Sequence, residues 1–137
     1  MQTVLVVEDE PIIRLISLIE LEDAGFITIE AKDADEAIAI LEKRQDIDFI
    51  FTDVNMPGSM DGAKLAAAVR DRWPPVHIIV TSGRVKPARM PAEAIFIPKP
   101  YKLRNVIAAM KAFEIKFNHE TRPVAAYLSD EHVRPAI

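Results

Sequence analysis

Val4-Leu5-Val6-Val7 runs into Glu8-Asp9, Phe49-Ile50-Phe51-Thr52 into Asp53, and Ile95-Phe96-Ile97-Pro98 into Lys99. A fourth apolar run, Val76 to Val80, passes into Thr81-Ser82-Gly83. Short continuous apolar runs are the pattern of strands buried on both faces of a parallel sheet. In an open α/β sheet, ligands bind beyond the carboxyl ends of such strands. These ends would gather three carboxylates, one ammonium and one or two hydroxyls at a single edge. Crowded carboxylates repel one another and require a cation. Donors that are all oxygen suit Mg²⁺, and the ammonium suits a phosphoryl group.

The segments between these runs must turn the chain back. Residues 11–24 read as a helix, with Pro11 in its first turn and Gly25 after its end. A strand is expected over 26–31 and a helix over 33–44, with Asp33 as its N-cap. A strand over 49–52, a Pro-Gly loop and a helix from about 61 to 72 follow, and Trp73-Pro74-Pro75 ends that helix. Strands at 76–82 and 94–98 precede a last helix over 103–117. Alternating elements of this length indicate a five-stranded parallel sheet with helices on both faces. In residues 84–93, Pro87 and Pro91 leave room only for a short or distorted fourth helix. Residues 118–137 read as a tail, too short for an output domain, after a domain spanning 1–117.

At 137 residues the chain has material for one domain with a real core. A net charge of −4 without a basic stripe argues against a nucleic-acid partner. The absence of cysteine excludes disulfides, thiolate catalysis and zinc–cysteine sites. No basic stretch precedes a long apolar one at the N-terminus, and no window reaches the roughly 18 apolar residues of a membrane span. The expected compartment is the cytoplasm, with no membrane partner. His77, His119 and His132 have no companion at metal-ligand or catalytic spacing.

With VVEDE (6–10), FTDVNMP (51–57), MDG (60–62), TSG (81–83) and PKPY (98–101) in order, each near its strand end, the chain resembles the receiver domain of bacterial two-component response regulators. The likeness covers about residues 3–117. It implies a flavodoxin-like, CheY-like α/β fold with strand order 2-1-3-4-5, of the stand-alone type. It implies that Asp53 is the phosphoacceptor, a carboxylate that attacks phosphorus and holds an acyl phosphate. Asp9 would bind Mg²⁺ directly and Glu8 through water, and the main-chain carbonyl of Asn55 would complete the shell beside Asp53. Lys99 would meet a phosphoryl oxygen across an expected cis bond to Pro100. Ser82 and Phe96 match the hydroxyl and aromatic switch positions. Thr81, one residue before Ser82, should project to the other side of its strand.

The resemblance implies a histidine kinase or histidine phosphotransfer protein as phosphoryl donor and an unidentified downstream protein as receiver of the signal. Helix 11–24 carries seven apolar residues between Ile12 and Leu21, more than one stripe can bury against a sheet. A docking or homodimer surface there is one reading, with Leu18 and Leu21 as its probes. A wide stripe wedged between the sheet and the last helix is the other. A competing function is an aspartyl-nucleophile phosphatase of similar fold. Such enzymes want a second acid two residues after the nucleophile, where Asn55 has no carboxylic proton to give. A phosphate-cradling nucleotide module would want glycine or hydroxyls after the first strand, where Glu8-Asp9-Glu10 would repel phosphate.

Overall fold

The computed structural model describes residues 1–56, 60–83 and 90–121, with side chains as far as Phe113. Its elements are β1 (Thr3–Val7), α1 (Pro11–Asp23), β2 (Ile27–Ala31), α2 (Ala34–Lys43), β3 (Phe49–Asp53), α3 (Gly62–Arg72), β4 (His77–Ser82), β5 (Ile95–Pro98) and α4 (Leu103–Thr121). The strands form one parallel sheet in the order β2-β1-β3-β4-β5. The central strands are the continuous apolar runs of the sequence, and β1 and β3 are buried at every position. The edge strands β2 and β5 are mostly half-buried.

Alternation along the strands makes two cores. Leu5, Val7, Ile50, Ile78 and Val80 pack with α2 and α3 through Ala37, Leu41, Leu65 and Val69. Val4, Val6, Phe49, Phe51 and Ile79 pack with α1 and α4 through Leu21, Val106 and Met110. Asp33 caps α2 as expected, accepting from the N–H of Glu36 at 2.9 Å, and Glu36 reaches back to the N–H of Lys32 at 2.8 Å. Asp61 caps α3 in the same way, through the N–H of Lys64 at 2.9 Å.

Two differences from the sequence reading have plain causes. Leu21 is fully buried and Leu18 packs against the α1/α4 core, so neither probes the surface. The outward stripe of α1 is Ile12, Leu15, Ile16 and Ile19, at i, i+3, i+4 and i+7. Helix α4 continues past Phe117 to Thr121, through polar residues that carry no apolar period. Most of the 84–93 segment, and with it the expected short helix, lies outside the described residues, as do the loop 57–59 and residues 122–137. The described part, 90–94, is a turn in which Ala94 N–H donates to Pro91 O at 3.2 Å and Glu93 takes φ 63°. Arg70 of α3 braces it by donating to Ala92 O at 3.0 Å and Pro74 O at 2.7 Å. No described helix is long and apolar enough to cross a membrane.

His77 opens β4 with its ring stacked on Phe113 at 4.4 Å and tilted against Phe49 at 5.4 Å. Burial holds its imidazole below the ordinary value. Arg70 pushes the same way, while Asp48 and Glu93 offset part of the shift. The folded chain therefore keeps His77 neutral where the unfolded chain takes up a proton. The stability contributed is complete above the ordinary value of 6.5 and is lost as pH falls through the lower folded value. His77→Phe, which keeps the ring stack, should flatten the loss of urea stability between about pH 7 and about pH 5. Equal slopes for the two proteins would refute this.

Candidate functional site

The register of β1 on β3 pairs Val7 with Thr52, so the next residue of each strand brings a carboxylate to the same edge. Glu8 and Asp53 are both 5% exposed, although ionised side chains are seldom buried. With the half-buried Asp9 they form a cluster in which one carboxylate oxygen from each residue lies within 4.8 Å of the others. Glu8 is pinned by its main chain. Its N–H donates to Ala31 O at 3.1 Å, and Arg14 of α1 donates to its carbonyl at 2.8 Å. The Glu8 carboxylate accepts from the N–H of Glu10 at 3.1 Å.

Both oxygens of Asp53 are engaged. Oδ1 accepts from the N–H of Asn55 at 3.0 Å, and Oδ2 accepts from Lys99 Nζ at 2.6 Å. Burial pulls the Lys99 ammonium down, but the hydrogen bond and charge of Asp53, with Glu8 beyond, raise its pKa above the ordinary value. Burial pushes Glu8 up to about 7. The Glu10 N–H opposes this, Asp53 and Asp9 add to it, and Lys99 relieves a little of it. Among the described residues the Lys99 ammonium is bonded to Asp53 and relieves Glu8, and the repulsion left among the three carboxylates is what a divalent cation would remove. The donors are all oxygen and converge from two adjacent strand ends, so the residues present fit Mg²⁺.

The structure brings Glu8, Asp9, Asp53 and Lys99 together. Lys99 lies one residue past β5, its N–H donating to Ser82 O at 2.9 Å, and its peptide bond to Pro100 is cis. A Cβ added at Gly83 would meet the Lys99 side chain in ordinary contact, 3.9 Å from its Cδ. Ser82 is 2% exposed at the end of β4. Thr81 pairs with Asp53 across the ladder, and its buried Oγ1 makes no hydrogen bond among the described residues. Asn55 is exposed, next to Asp53. Phe96 pairs with Val80, on the sheet face opposite Ile97.

The role of Gly62 escapes the sequence reading. A Cβ there would fall 2.0 Å from the carbonyl oxygen of Asp53, while the Gly62 N–H donates to Val54 O at 2.9 Å. The start of α3 thereby lies directly on the backbone of Asp53. Glycine after an N-cap aspartate in Met-Asp-Gly is the available signal, but the contact itself is tertiary.

The sequence pattern of the response regulator receiver domain matches residues 4–111. The chain belongs to the response regulator receiver family. This receiver domain is 35% identical over 115 residues to the sensor kinase CckA of Brucella abortus, an overlap of 80% of this chain and 12% of that protein. Against the solved receiver domain of the hybrid histidine kinase CckA it has 30% identity and a TM-score of 0.70, covering 80% of this chain and 96% of that one. The response regulator TrrA of Thermotoga maritima, solved in complex with Mg²⁺-BeF, gives 24% identity and a TM-score of 0.74 over 82% of this chain and 98% of that one. TrrA has also been crystallised with the histidine kinase ThkA, giving 25% identity and a TM-score of 0.70 over 82% and 97%.

Gly62→Ala should force the Asp53 carbonyl or the start of α3 to move. The expected loss is about 3 kcal/mol of stability, the upper end for overpacking. Urea unfolding with a midpoint unchanged from the wild type would refute this contact.

Proposed function

We propose that this receiver domain takes a phosphoryl group onto Asp53 from a phosphohistidine donor and passes on its state by protein contact. The observation that carries the reading is the Lys99 ammonium on Asp53 at 2.6 Å, inside a cluster of three carboxylates. A carboxylate oxygen of Asp53 attacks phosphorus. The bond from phosphorus to the donor imidazole breaks, and its electron pair stays on the nitrogen. Bound by Glu8, Asp9 and Asp53, with the Asn55 carbonyl as a further donor, Mg²⁺ supplies neutralisation of the charge on the transferring group. Lys99 exchanges its Asp53 contact for a phosphoryl oxygen, and the Ser82 hydroxyl donates to another. Phe96 responds from β5. Asn55 has no carboxylic proton for a leaving group, so the site lacks the general acid of an aspartyl phosphatase.

The exposed stripe of α1 is our assignment for the donor's docking face. Ile12 is 73% exposed and Leu15 56%, and the crystallisation of TrrA with a histidine kinase supports a partner of that class. Glu10, Glu20, Glu22 and Asp23 flank the stripe. They favour a partner with basic edges and oppose a symmetric pairing of two copies.

Incubation with Mg²⁺ and acetyl phosphate should add one phosphoryl group by mass, and Asp53→Asn should abolish the gain. A wild type that gains nothing would sink the reading. Steady turnover of varied phosphomonoesters would favour a phosphatase instead. Leu15→Lys with Ile16→Lys should slow transfer from a phosphorylated kinase at least about tenfold, the cost of disrupting an interface anchor. The acetyl phosphate reaction should stay unchanged. Equal kinase rates would remove α1 from the docking face.

A further inference from the structure

The acidic turn between β1 and α1 is clasped by one residue. Arg14 lies at the end of the first turn of α1, and its N–H donates to Glu10 O at 2.9 Å. Its side chain reaches back over the same turn, where Nη1 donates to Glu8 O at 2.8 Å. Nε donates to the Glu30 carboxylate of β2, also at 2.8 Å. The Arg14 side chain is 18% exposed and that of Glu30 56%.

These bonds fix the backbone at Glu8 from both sides. Val6 pairs with Glu30 and Val7 with Ala31, and Ala31 O accepts the Glu8 N–H at 3.1 Å. The peptide group before Glu8 is therefore held by the β1/β2 ladder, and the one after it by Arg14. The second of these joins Glu8 to Asp9. Because a peptide group is planar, its tilt sets the direction in which Asp9 leaves the chain.

The pair with Glu30 alone would be a surface ion pair of small worth. The bond to Glu8 O is of another kind, because a carbonyl has no net charge to neutralise. The groups that move the Glu8 carboxyl's pKa are burial, the Glu10 N–H, Asp53, Asp9 and Lys99, and Arg14 is not among them. A fixed cation beside a carboxylate cluster also repels a dication. What Arg14 supplies is direction. Its planar fork holds a carboxylate on one arm and a carbonyl on the other, a geometry that an ammonium does not reproduce.

We propose that Arg14 is a positioning residue for the cation site. Braced by Glu30, it fixes the Glu8–Asp9 peptide so that both carboxylates converge with Asp53 on one ion. The inference rests on the Mg²⁺ reading of the cluster and goes beyond it, because it brings β2 and α1 into the site through an uncharged carbonyl.

The test titrates the full chain with Mg²⁺ alone and follows the amide resonances of Glu8, Asp9 and Glu10. Arg14→Met keeps the length of the stem and removes the donors. It should weaken Mg²⁺ binding about tenfold, the lower end for a group that orients a metal's ligands. Charge alone predicts the opposite sign, since loss of a nearby cation favours a dication. Glu30→Ala, at an exposed position, should weaken binding in the same direction by releasing the brace. In an Arg14→Met background it should add nothing, because both act through one peptide group. Melting curves report whether each variant is folded, and Glu30→Ala carries the test if Arg14→Met is not.

Mg²⁺ binding in folded Arg14→Met equal to wild type or tighter would overturn the proposal and leave the Mg²⁺ reading in place. So would wild-type affinity in Glu30→Ala, or an undiminished Glu30→Ala effect without Arg14. A wild type that binds no Mg²⁺ would remove both.

Discussion

Three carboxylates crowd at the carboxyl edge of the sheet, with the Lys99 ammonium on one of them, and most of the local architecture keeps them there. Ionised groups lose several kcal/mol of hydration on burial, so Glu8 and Asp53 would separate if their strands were free to slide. The register of Val7 on Thr52 denies them that freedom. Slipping a strand by one residue would turn its whole apolar set to the wrong face. The penalty at the edge is therefore held in place by the burial of β1 and β3 beneath it. Gly62 adds a lock on the other side, since only a residue without a Cβ lets α3 begin on the carbonyl of Asp53.

The two cores divide the labour. On the α2/α3 face, capped helices with small residues such as Ala37 and Ala66 lie close to the sheet, and the buried Thr52 between Val7 and Val80 turns its hydroxyl onto the Asp53 carbonyl. The α1/α4 face carries the connections to the site. Phe51 leads to Asp53, Tyr101 follows Lys99, and Arg14 reaches in from α1 to the Glu8 carbonyl. The same helix turns Ile12, Leu15, Ile16 and Ile19 outward.

Strand ends are legible in a sequence because burial on both faces leaves an uninterrupted apolar run, and the first charged residue after it marks the edge. That is why Glu8, Asp9, Asp53 and Lys99 could be named before any coordinates, and why Asp33 could be named as a cap. Contacts between distant segments leave no such trace. Gly62 is a glycine because of a carbonyl nine residues earlier. The outward side of α1 was illegible for a related reason. With seven apolar residues in ten, no single stripe stands out, and only the position of α4 decides that Leu18 and Leu21 go in while Leu15 and Ile16 stay out. The polar end of α4 has no period to read at all.

A switch built on this edge follows from the charge count. Phosphorylation would add negative charge where there is already too much, so the added group must draw on whatever cation can move. Arg14 is committed to the Glu8 carbonyl and to Glu30 at 2.8 Å each. Among the described residues, Lys99 is the cation that reaches Asp53. If the ammonium leaves Asp53 Oδ2 for a phosphoryl oxygen, its backbone stays tied to Ser82 O, so β4 and β5 feel the move together. The population shift can be no larger than the difference in how well Lys99 satisfies the two states. A lysine held loosely would follow the phosphoryl group without disturbing its neighbours. A lysine whose main chain is tied to Ser82 O cannot, and that constraint is what would turn a local charge change into a change at β4 and β5.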